Sequence, residues 1–352
     1  MERNPLIDYG KGVLICLVTI GHAIQYAVYQ GEGFWDNPLY QYIYMFHMPL
    51  FMAVSGYVSH AGIQREPYGQ FVFNKLKTYG VPIVVWALLF RLAIALVRPP
   101  VSATGLLASI IHEANHGLWF LWALLGCLVI TATIKATQWN FWLLGVGAFL
   151  GLLLLPERAN LPMLKYMFPY FLTGYYCASI EGLAVRKRTY IWVFVGSFFL
   201  TAALYVIWRK EDYIYNSGML LADGNSLPVA VRYLSGFVVS IFSALMIHQG
   251  YLRSSKWLQG VVTSLGRGSI YIYILQGYLF TLILQVAPRY FRPIASVPLG
   301  ILIALALGLL VAFSCLWLGR AISSNQILAA VLFGRASRRS ASAPASLAAI
   351  AR

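Results

Sequence analysis

Several stretches of the chain run for close to twenty residues without a charged side chain, and they decide which folds are possible. Residues 12–29 and 298–318 are two of them. As helices, stretches of roughly 20 residues are long enough to cross a hydrocarbon layer about 30 Å thick. The strands of a membrane β-barrel are shorter, about ten residues, and alternate between polar and apolar side chains. The sequence therefore predicts an all-α, polytopic integral membrane helix bundle.

The balance of charge agrees with a membrane protein. Only 11% of the residues are charged and 60% are hydrophobic, whereas about a quarter of the residues of a soluble domain are charged. A net charge of +15 is also typical of proteins that bind nucleic acid, but here the basic residues lie in short segments between apolar stretches. Membrane topology explains the basic excess better, and we predict no nucleic-acid partner.

Hydropathy and helix-breaking residues predict about ten transmembrane helices. We place them at residues 12–30, 39–60, 79–97, 118–136, 139–155, 163–181, 190–208, 228–248, 269–287 and 297–319. Lysine and arginine concentrate in alternate connections, for example 65–77, 186–188 and 253–267. Such connections stay on the cytoplasmic side. Both termini are therefore predicted to be cytoplasmic, with 98–117 and 209–227 as the longest extracytoplasmic loops.

The chain is predicted to hold one transmembrane domain, at residues 1–334. Residues 335–352 are rich in serine, alanine and arginine, and this composition predicts a disordered basic cytoplasmic tail because it offers too little apolar surface to pack. We find no internal repeat of the kind that builds many transporters.

Among the polar residues within or next to the apolar stretches, Lys11 and His22 are the first candidates for a catalytic or binding role. They are eleven residues apart, which is about three helical turns and about 16 Å along the axis, so both side chains lie on one face of the first helix. An ionisable side chain inside a membrane is costly and prompts a functional hypothesis. The alternative is that His22 only bonds a neighbouring helix.

A second histidine lies in the next predicted helix, within His47-Met48-Pro49. We expect His47 to lie at a depth from which it approaches His22 across a short hairpin. Pro49 removes one backbone donor and favours a local kink. His22 and His47 are therefore predicted to line one polar cavity, and they are our candidate catalytic residues.

The order of several segments resembles the membrane acyltransferase-3 family. The segment from Asp8 to His22, with its lysine-to-histidine spacing, is similar to the first helix of that family, and the His-Met-Pro segment is similar to the second helix of its fucose 4-O-acetylase-like and exopolysaccharide acyltransferase branch. Further similar segments lie at residues 71–82, 118–122, 171–176 and 265–273. One departure is Gln276, at a position where many relatives have histidine, so no role of that histidine is carried over.

The resemblance implies an enzyme of a bacterial inner membrane. Such an O-acyltransferase moves an acetyl or succinyl group from cytoplasmic acyl-CoA to a sugar hydroxyl of an extracytoplasmic or secreted polysaccharide, or of a lipid-linked glycan. The sequence leaves open whether the enzyme works beside an exopolysaccharide synthesis or export complex. Histidine suits this chemistry because its pKa lies near neutrality. His22 either deprotonates the sugar hydroxyl or is itself acylated; we take general base as the working hypothesis.

Coenzyme A carries phosphates, so basic side chains are expected at its binding site. Lys11, Lys75 and Lys77 are the predicted donor-binding residues, ahead of residues 186–188 and Arg267. Their simpler role would be to set the orientation of helix ends on the cytoplasmic side.

On the opposite face, Glu113, His116 and Trp119 are predicted to contact the acceptor. His112 and His116 are four residues apart, a spacing that some zinc sites use, but a third ligand and an HExxH pattern are absent from the sequence around them. We therefore predict no metal site. The competing hypothesis for the whole chain is a transporter or exporter of a glycan or its precursor, since intramembrane histidines also suit proton-coupled transport.

Overall fold

The computed structural model describes residues 4–97, 102–180, 187–216, 218–219, 226–286, 293–294 and 296–335. Regular structure within these ranges is helical, with no β-strand. The α-helices are α1 Pro5–His22, α2 Pro38–Arg65, α3 Tyr68–Lys75, α4 Val81–Val97, α5 Ala103–His116, α6 Trp119–Ala136, α7 Phe141–Leu154, α8 Leu161–Ser179, α9 Lys187–Ile207, α10 Ser226–Arg253, α11 Lys256–Arg267, α12 Ser269–Val286, α13 Val297–Ile322 and α14 Gln326–Phe333. The all-α prediction is confirmed.

Six helical stretches of the described chain are long and apolar enough to cross a membrane, and a seventh is added if α11 and α12 count as one span bent by 68°. The predicted polytopic bundle is thus confirmed, whereas about ten crossings stays a prediction. Helices α2 and α8 are long but fall below this apolarity. They pack extensively against each other, and a helix covered by protein needs less apolar surface than one that faces lipid.

Several helices have boundaries that hydropathy alone does not predict. Helix α1 starts at Pro5, where the Asn4 side chain accepts a hydrogen bond from the Leu6 N–H at 3.0 Å, so Lys11 lies inside the helix. The predicted loop 98–117 contains α5, and the predicted cytoplasmic connection 253–267 contains α11. Both helices have fewer than the roughly 17 residues that a membrane span requires. A prediction of membrane-spanning helices from hydropathy therefore does not detect them.

Two helix pairs approach closely because glycine lies at the contact. A Cβ atom at Gly56 of α2 would collide with the backbone of α8, and one at Gly174 of α8 would collide with the backbone of α2. Gly12 of α1 and Gly266 of α11 play the same part between those two helices. Such small residues let helix backbones meet in a membrane bundle. Helix α1 is thereby enclosed by α2, α10, α11, α12 and α13.

Helix α1 lies at the centre of the bundle, and its two ends mark two opposite sides of the bundle. Lys11 lies near the beginning of α1 and His22 at its end, and we call these the Lys11 side and the His22 side. After His22 the chain continues as a π-helical turn, Ala23–Val28. A π-turn changes the direction of the side chains that follow, and such turns are frequent at functional sites. The predicted tail beyond Arg335 lies outside the described residues.

Candidate active site

A cavity of about 580 Å³ opens beside His22. Its volume falls in the range of small-molecule sites, roughly 300–1,000 Å³. Nine of its twenty lining residues carry aromatic rings, namely Tyr26, Trp35, Tyr40, Tyr44, Phe90, Trp119, Tyr215, Tyr273 and Tyr278. We call it the His22 cavity. Glu113, His116 and Trp119, the three predicted acceptor-side residues, all line it together with His22.

The orientation of the His22 ring is fixed by Gln276 of α12. His22 Nδ1 lies 2.7 Å from Gln276 Oε1, and Gln276 Nε2 donates to the Tyr273 carbonyl at 3.3 Å. Because the amide nitrogen already faces a carbonyl, the amide oxygen must face the histidine, and an oxygen accepts. His22 Nδ1 therefore carries the proton, which leaves Nε2 as the basic nitrogen.

His47 lies behind the cavity wall. Its Nδ1–H donates to the Ile43 carbonyl at 2.7 Å, and its ring packs 4.6 Å from the ring of Tyr44, which does line the cavity. Tyr44 in turn lies against Gly21, next to His22. The two histidines are thus neighbours through Tyr44, and His47 itself is not among the residues that line the His22 cavity.

A charged pair forms one part of the cavity wall. Arg91 of α4 and Glu113 of α5 both line the His22 cavity, and Arg91 Nη2 lies 2.8 Å from Glu113 Oε2. No role was predicted for Arg91 from the sequence. The sequence does contain a reason to select Arg91, because this residue lies inside the predicted span 79–97. An ionisable residue within a membrane span is a functional candidate and is expected to have a partner.

A loop after α9 covers the His22 cavity on one side, and Arg232 holds it. The Arg232 side chain is 1% exposed and donates to three loop carbonyls, those of Glu211 at 3.2 Å, Asp212 at 2.7 Å and Gly218 at 3.1 Å. A guanidinium satisfied by several carbonyls is well placed to fix a backbone path. This loop carries Tyr215, whose ring meets those of Trp119 and Tyr44; the sequence did not point to Arg232.

A second cavity, of about 180 Å³, lies on the Lys11 side. Lys11 lines it, with mostly apolar neighbours from α1, α2, α6 and α12, and we call it the Lys11 cavity. Asp8 binds both Lys11, at 2.8 Å from Lys11 Nζ, and Arg267, at 3.3 Å from Arg267 Nε. The carboxylate, which is nearly buried, therefore pairs with a second cation, Arg267, as well as with the lysine that lines this cavity.

The other predicted donor-binding residues lie elsewhere. Lys75 Nζ is 5.1 Å from the centroid of the Phe71 ring, and Lys77 Nζ is 4.4 Å from that of Phe73. Both lysines therefore cover aromatic rings of their own helical segment, and neither is among the residues that line the Lys11 cavity. Arg186 lies outside the described residues.

Tyr273 of α12 separates the two cavities. Within the described chain it is the one residue that lines both. Its hydroxyl oxygen accepts a hydrogen bond from the Phe120 N–H at 3.1 Å, at the beginning of α6, so the phenol is held in place with its O–H free to donate. Tyr273 and Gln276 lie one turn apart, about 4.5 Å along the axis, which sets Tyr273 near the His22 ring.

Comparison with known proteins identifies the family of the chain. A family profile for an acyltransferase domain matches residues 4–317. The chain belongs to the acyltransferase-3 family. Nodulation protein NolL of Mesorhizobium japonicum is 32% identical over 293 residues, covering 80% of this chain and 78% of that protein. Nodulation protein NolL of Sinorhizobium fredii is 30% identical over 292 residues, covering 80% and 79%.

The family resemblance and the predicted enzyme class are therefore confirmed: the chain is a multi-pass membrane acyltransferase. This membership also decides against the competing transporter hypothesis. No solved structure matches the chain. The family profile spans both cavities, from Lys11 and His22 to Tyr273 and Gln276.

The stacked pair His112 and His116 does not gain a third ligand in the described chain. Their rings lie 4.2 Å apart, and the His116 Nδ1–H donates to the His112 carbonyl at 2.9 Å. The described residues contain no group of three histidine, cysteine or acidic side chains near enough to hold a metal ion.

Removal of the Gln276 amide tests whether it positions His22. In a Gln276→Leu variant His22 keeps its imidazole but loses the partner that fixes its tautomer, and we expect kcat for acyl transfer to fall about tenfold, the effect of one hydrogen bond, with the acyl-CoA KM unchanged. Gln276→Glu retains an acceptor oxygen and should keep more activity than Gln276→Leu. A wild-type kcat in Gln276→Leu would contradict this role.

Proposed function

We propose that this acyltransferase transfers an acetyl or succinyl group from acyl-CoA to a sugar hydroxyl, with His22 as general base. The observation that carries the proposal is that two cavities share Tyr273 as a wall residue and that His22 lines the larger one. An acyltransferase must bring a donor and an acceptor together at one point. Two cavities that share one wall residue provide such a point.

The donor occupies the Lys11 cavity. Its small apolar interior suits the narrow pantetheine arm of coenzyme A, and Lys11 on its wall, with Arg267 bound to the same carboxylate, suits the phosphates. The positive-inside pattern supports a cytoplasmic position for this side. Lys75 and Lys77 stay second candidates for the phosphates, since they lie on the segment that also contributes Tyr79 to the cavity.

The acceptor occupies the His22 cavity. Aromatic walls suit the apolar faces of sugar rings, while a few polar side chains fix orientation. With the Lys11 side cytoplasmic, the His22 side is extracytoplasmic, where a polysaccharide or lipid-linked glycan is reached from a bacterial inner membrane. We also propose that the enzyme works beside an exopolysaccharide synthesis or export complex.

The reaction is an acyl transfer with balanced proton movement. The sugar oxygen attacks the thioester carbonyl carbon while His22 Nε2 takes the hydroxyl proton. The Tyr273 O–H donates to the carbonyl oxygen as negative charge develops on it. The C–S bond then breaks, and the proton on His22 passes to the departing sulfur to give free coenzyme A. His47, which supports Tyr44, stays a second candidate for the base.

Reconstituted protein tests this function directly. Full-length chain in lipid nanodiscs, supplied with acetyl-CoA or succinyl-CoA and a bacterial polysaccharide extract, is expected to release free coenzyme A and acylate the glycan. Lys11→Gln should raise the acyl-CoA KM about tenfold, as expected for loss of a charged hydrogen bond, and more than Lys75→Gln or Lys77→Gln does. Lys135→Gln, which changes a half-buried lysine that lines neither cavity, is the control. Glycan-independent release of coenzyme A would contradict acyl transfer to sugar.

A further inference from the structure

The charge of the His22 cavity is neutral although the chain carries +15. Arg91 and Glu113 are the arginine and the carboxylate that line it, no lysine or aspartate joins them in the described chain, and they form an ion pair at 2.8 Å. The remaining polar side chains on the wall are amides, hydroxyls, two imidazoles and two indoles. An acidic ligand would therefore meet no unpaired cation on this wall.

Two polar atoms beside this ion pair lack a partner. Arg91 Nε and the Tyr278 hydroxyl are both buried and make no hydrogen bond to any described residue. Tyr278 is 8% exposed, and its ring is held between Trp86, at 5.4 Å, and Phe90, at 4.8 Å. Both residues line the His22 cavity, and buried polar groups in folded proteins are nearly always satisfied, so a ligand that draws these two side chains towards the cavity would satisfy both groups.

We propose that Arg91, Glu113 and Tyr278 form the subsite that selects an uncharged sugar residue of the acceptor. The inference rests on the proposed function of the His22 cavity as the acceptor site. Arg91 Nε–H donates to one sugar hydroxyl oxygen, Tyr278 bonds a second, and a Glu113 oxygen accepts a hydroxyl proton. Trp119, on the same cavity wall, provides an aromatic face for the ring.

The ion pair explains the choice of a neutral sugar. A uronic acid carboxylate in this subsite would lie beside Glu113 and would repel it, and the neighbouring Arg91 is already neutralised. Burying a charge without a partner is costly, whereas a hydroxyl exchanges its bonds to water for bonds to Arg91 and Tyr278. A site that is built to bond hydroxyls rejects a ligand that leaves its buried polar groups unpaired.

Two glycosides that differ only at C6 test this selection. Methyl β-D-glucoside and methyl β-D-glucuronide, both radiolabelled, are titrated by equilibrium dialysis against full-length protein in nanodiscs. The His22→Ala background prevents turnover, so the result does not depend on His22 acting as base. We expect the glucoside to bind at least tenfold more tightly than the glucuronide. Glu113→Gln leaves Arg91 unneutralised and should reverse this preference.

Tyr278→Phe removes only the hydroxyl and should raise the glucoside Kd about fivefold, as loss of one hydrogen bond does. Tyr42→Phe is the matched control, because the Tyr42 hydroxyl bonds Ser243 at 3.0 Å and Tyr42 does not line the cavity; its Kd should equal that of the parent. If Glu113→Gln fails to fold, Tyr278→Phe decides alone. Equal affinity for the two glycosides, an unchanged Kd in Tyr278→Phe, or no saturable binding of either glycoside overturns the proposal.

Discussion

Replacing His22 by glutamine is expected to lower kcat for acyl transfer by roughly 10²–10⁴, the usual contribution of a general base. Glutamine fills a similar volume and can still bond Gln276, but it has no basic nitrogen near neutral pKa. The measurement is the rate of coenzyme A release by the reconstituted protein in the presence of glycan. Binding of acyl-CoA, followed as thermal stabilisation, should persist because His22 lies outside the Lys11 cavity.

Two further histidine variants test whether the loss of activity is specific to His22. His248→Gln changes a histidine of α10 whose ring faces Tyr190 at 6.3 Å, away from both cavities, and it should retain wild-type kcat. His47→Gln shows whether the second histidine shares the task. Transfer by His22→Gln within tenfold of the wild-type rate would remove His22 from the mechanism, and loss of transfer in His47→Gln alone would give the base to His47.

Removing the Tyr273 hydroxyl should produce the second large effect. Tyr273→Phe leaves the ring between the two cavities but takes away the O–H that we propose as donor to the thioester oxygen, and kcat is expected to fall roughly 10²–10³, as for loss of one oxyanion donor. Both KM values should change little, because the bond to the carbonyl oxygen strengthens only as charge develops. Steady-state kinetics in nanodiscs with each substrate varied in turn measures this split.

Tyr271 provides the control on the same helix. It lines neither cavity, and its ring packs 4.6 Å from Phe333, so Tyr271→Phe should keep wild-type kcat. The Tyr273 hydroxyl also accepts the Phe120 N–H, and its loss costs about 1 kcal/mol of stability, which thermal unfolding detects. A fall in kcat matched by an equal rise in either KM would argue against oxyanion stabilisation by Tyr273.

The residues within one helix were the most predictable part of the site. Lys11 and His22 share a face of α1 because helical periodicity fixes the direction of side chains eleven residues apart. Glu113, His116 and Trp119 were grouped because they lie close in the chain, and all three line the cavity with His22. Spacing over a few residues or helical turns is enough to predict that these side chains lie together.

Side chains that meet across the bundle were harder to find. His22 and Gln276 are 254 positions apart, and Gln276 stood out only as a departure from the family pattern. Arg91 was hidden within an apolar span, and its partner Glu113 belongs to a helix, α5, that was expected to be a loop. Lys75 and Lys77 have the charge that a phosphate site requires, but their side chains lie over the rings of Phe71 and Phe73.

The sequence by itself determined that the chain is an all-α membrane protein, which family it resembles, and that Lys11 and His22 lie on one face of the first helix. These conclusions follow from apolar length, residue order and helical period, which are local properties of the chain. The tertiary structure decided which nitrogen of His22 is basic, that two cavities meet at Tyr273, and that Arg91 and Glu113 neutralise each other. Those features depend on how the helices pack and where glycines let backbones approach, and no local spacing encodes these contacts.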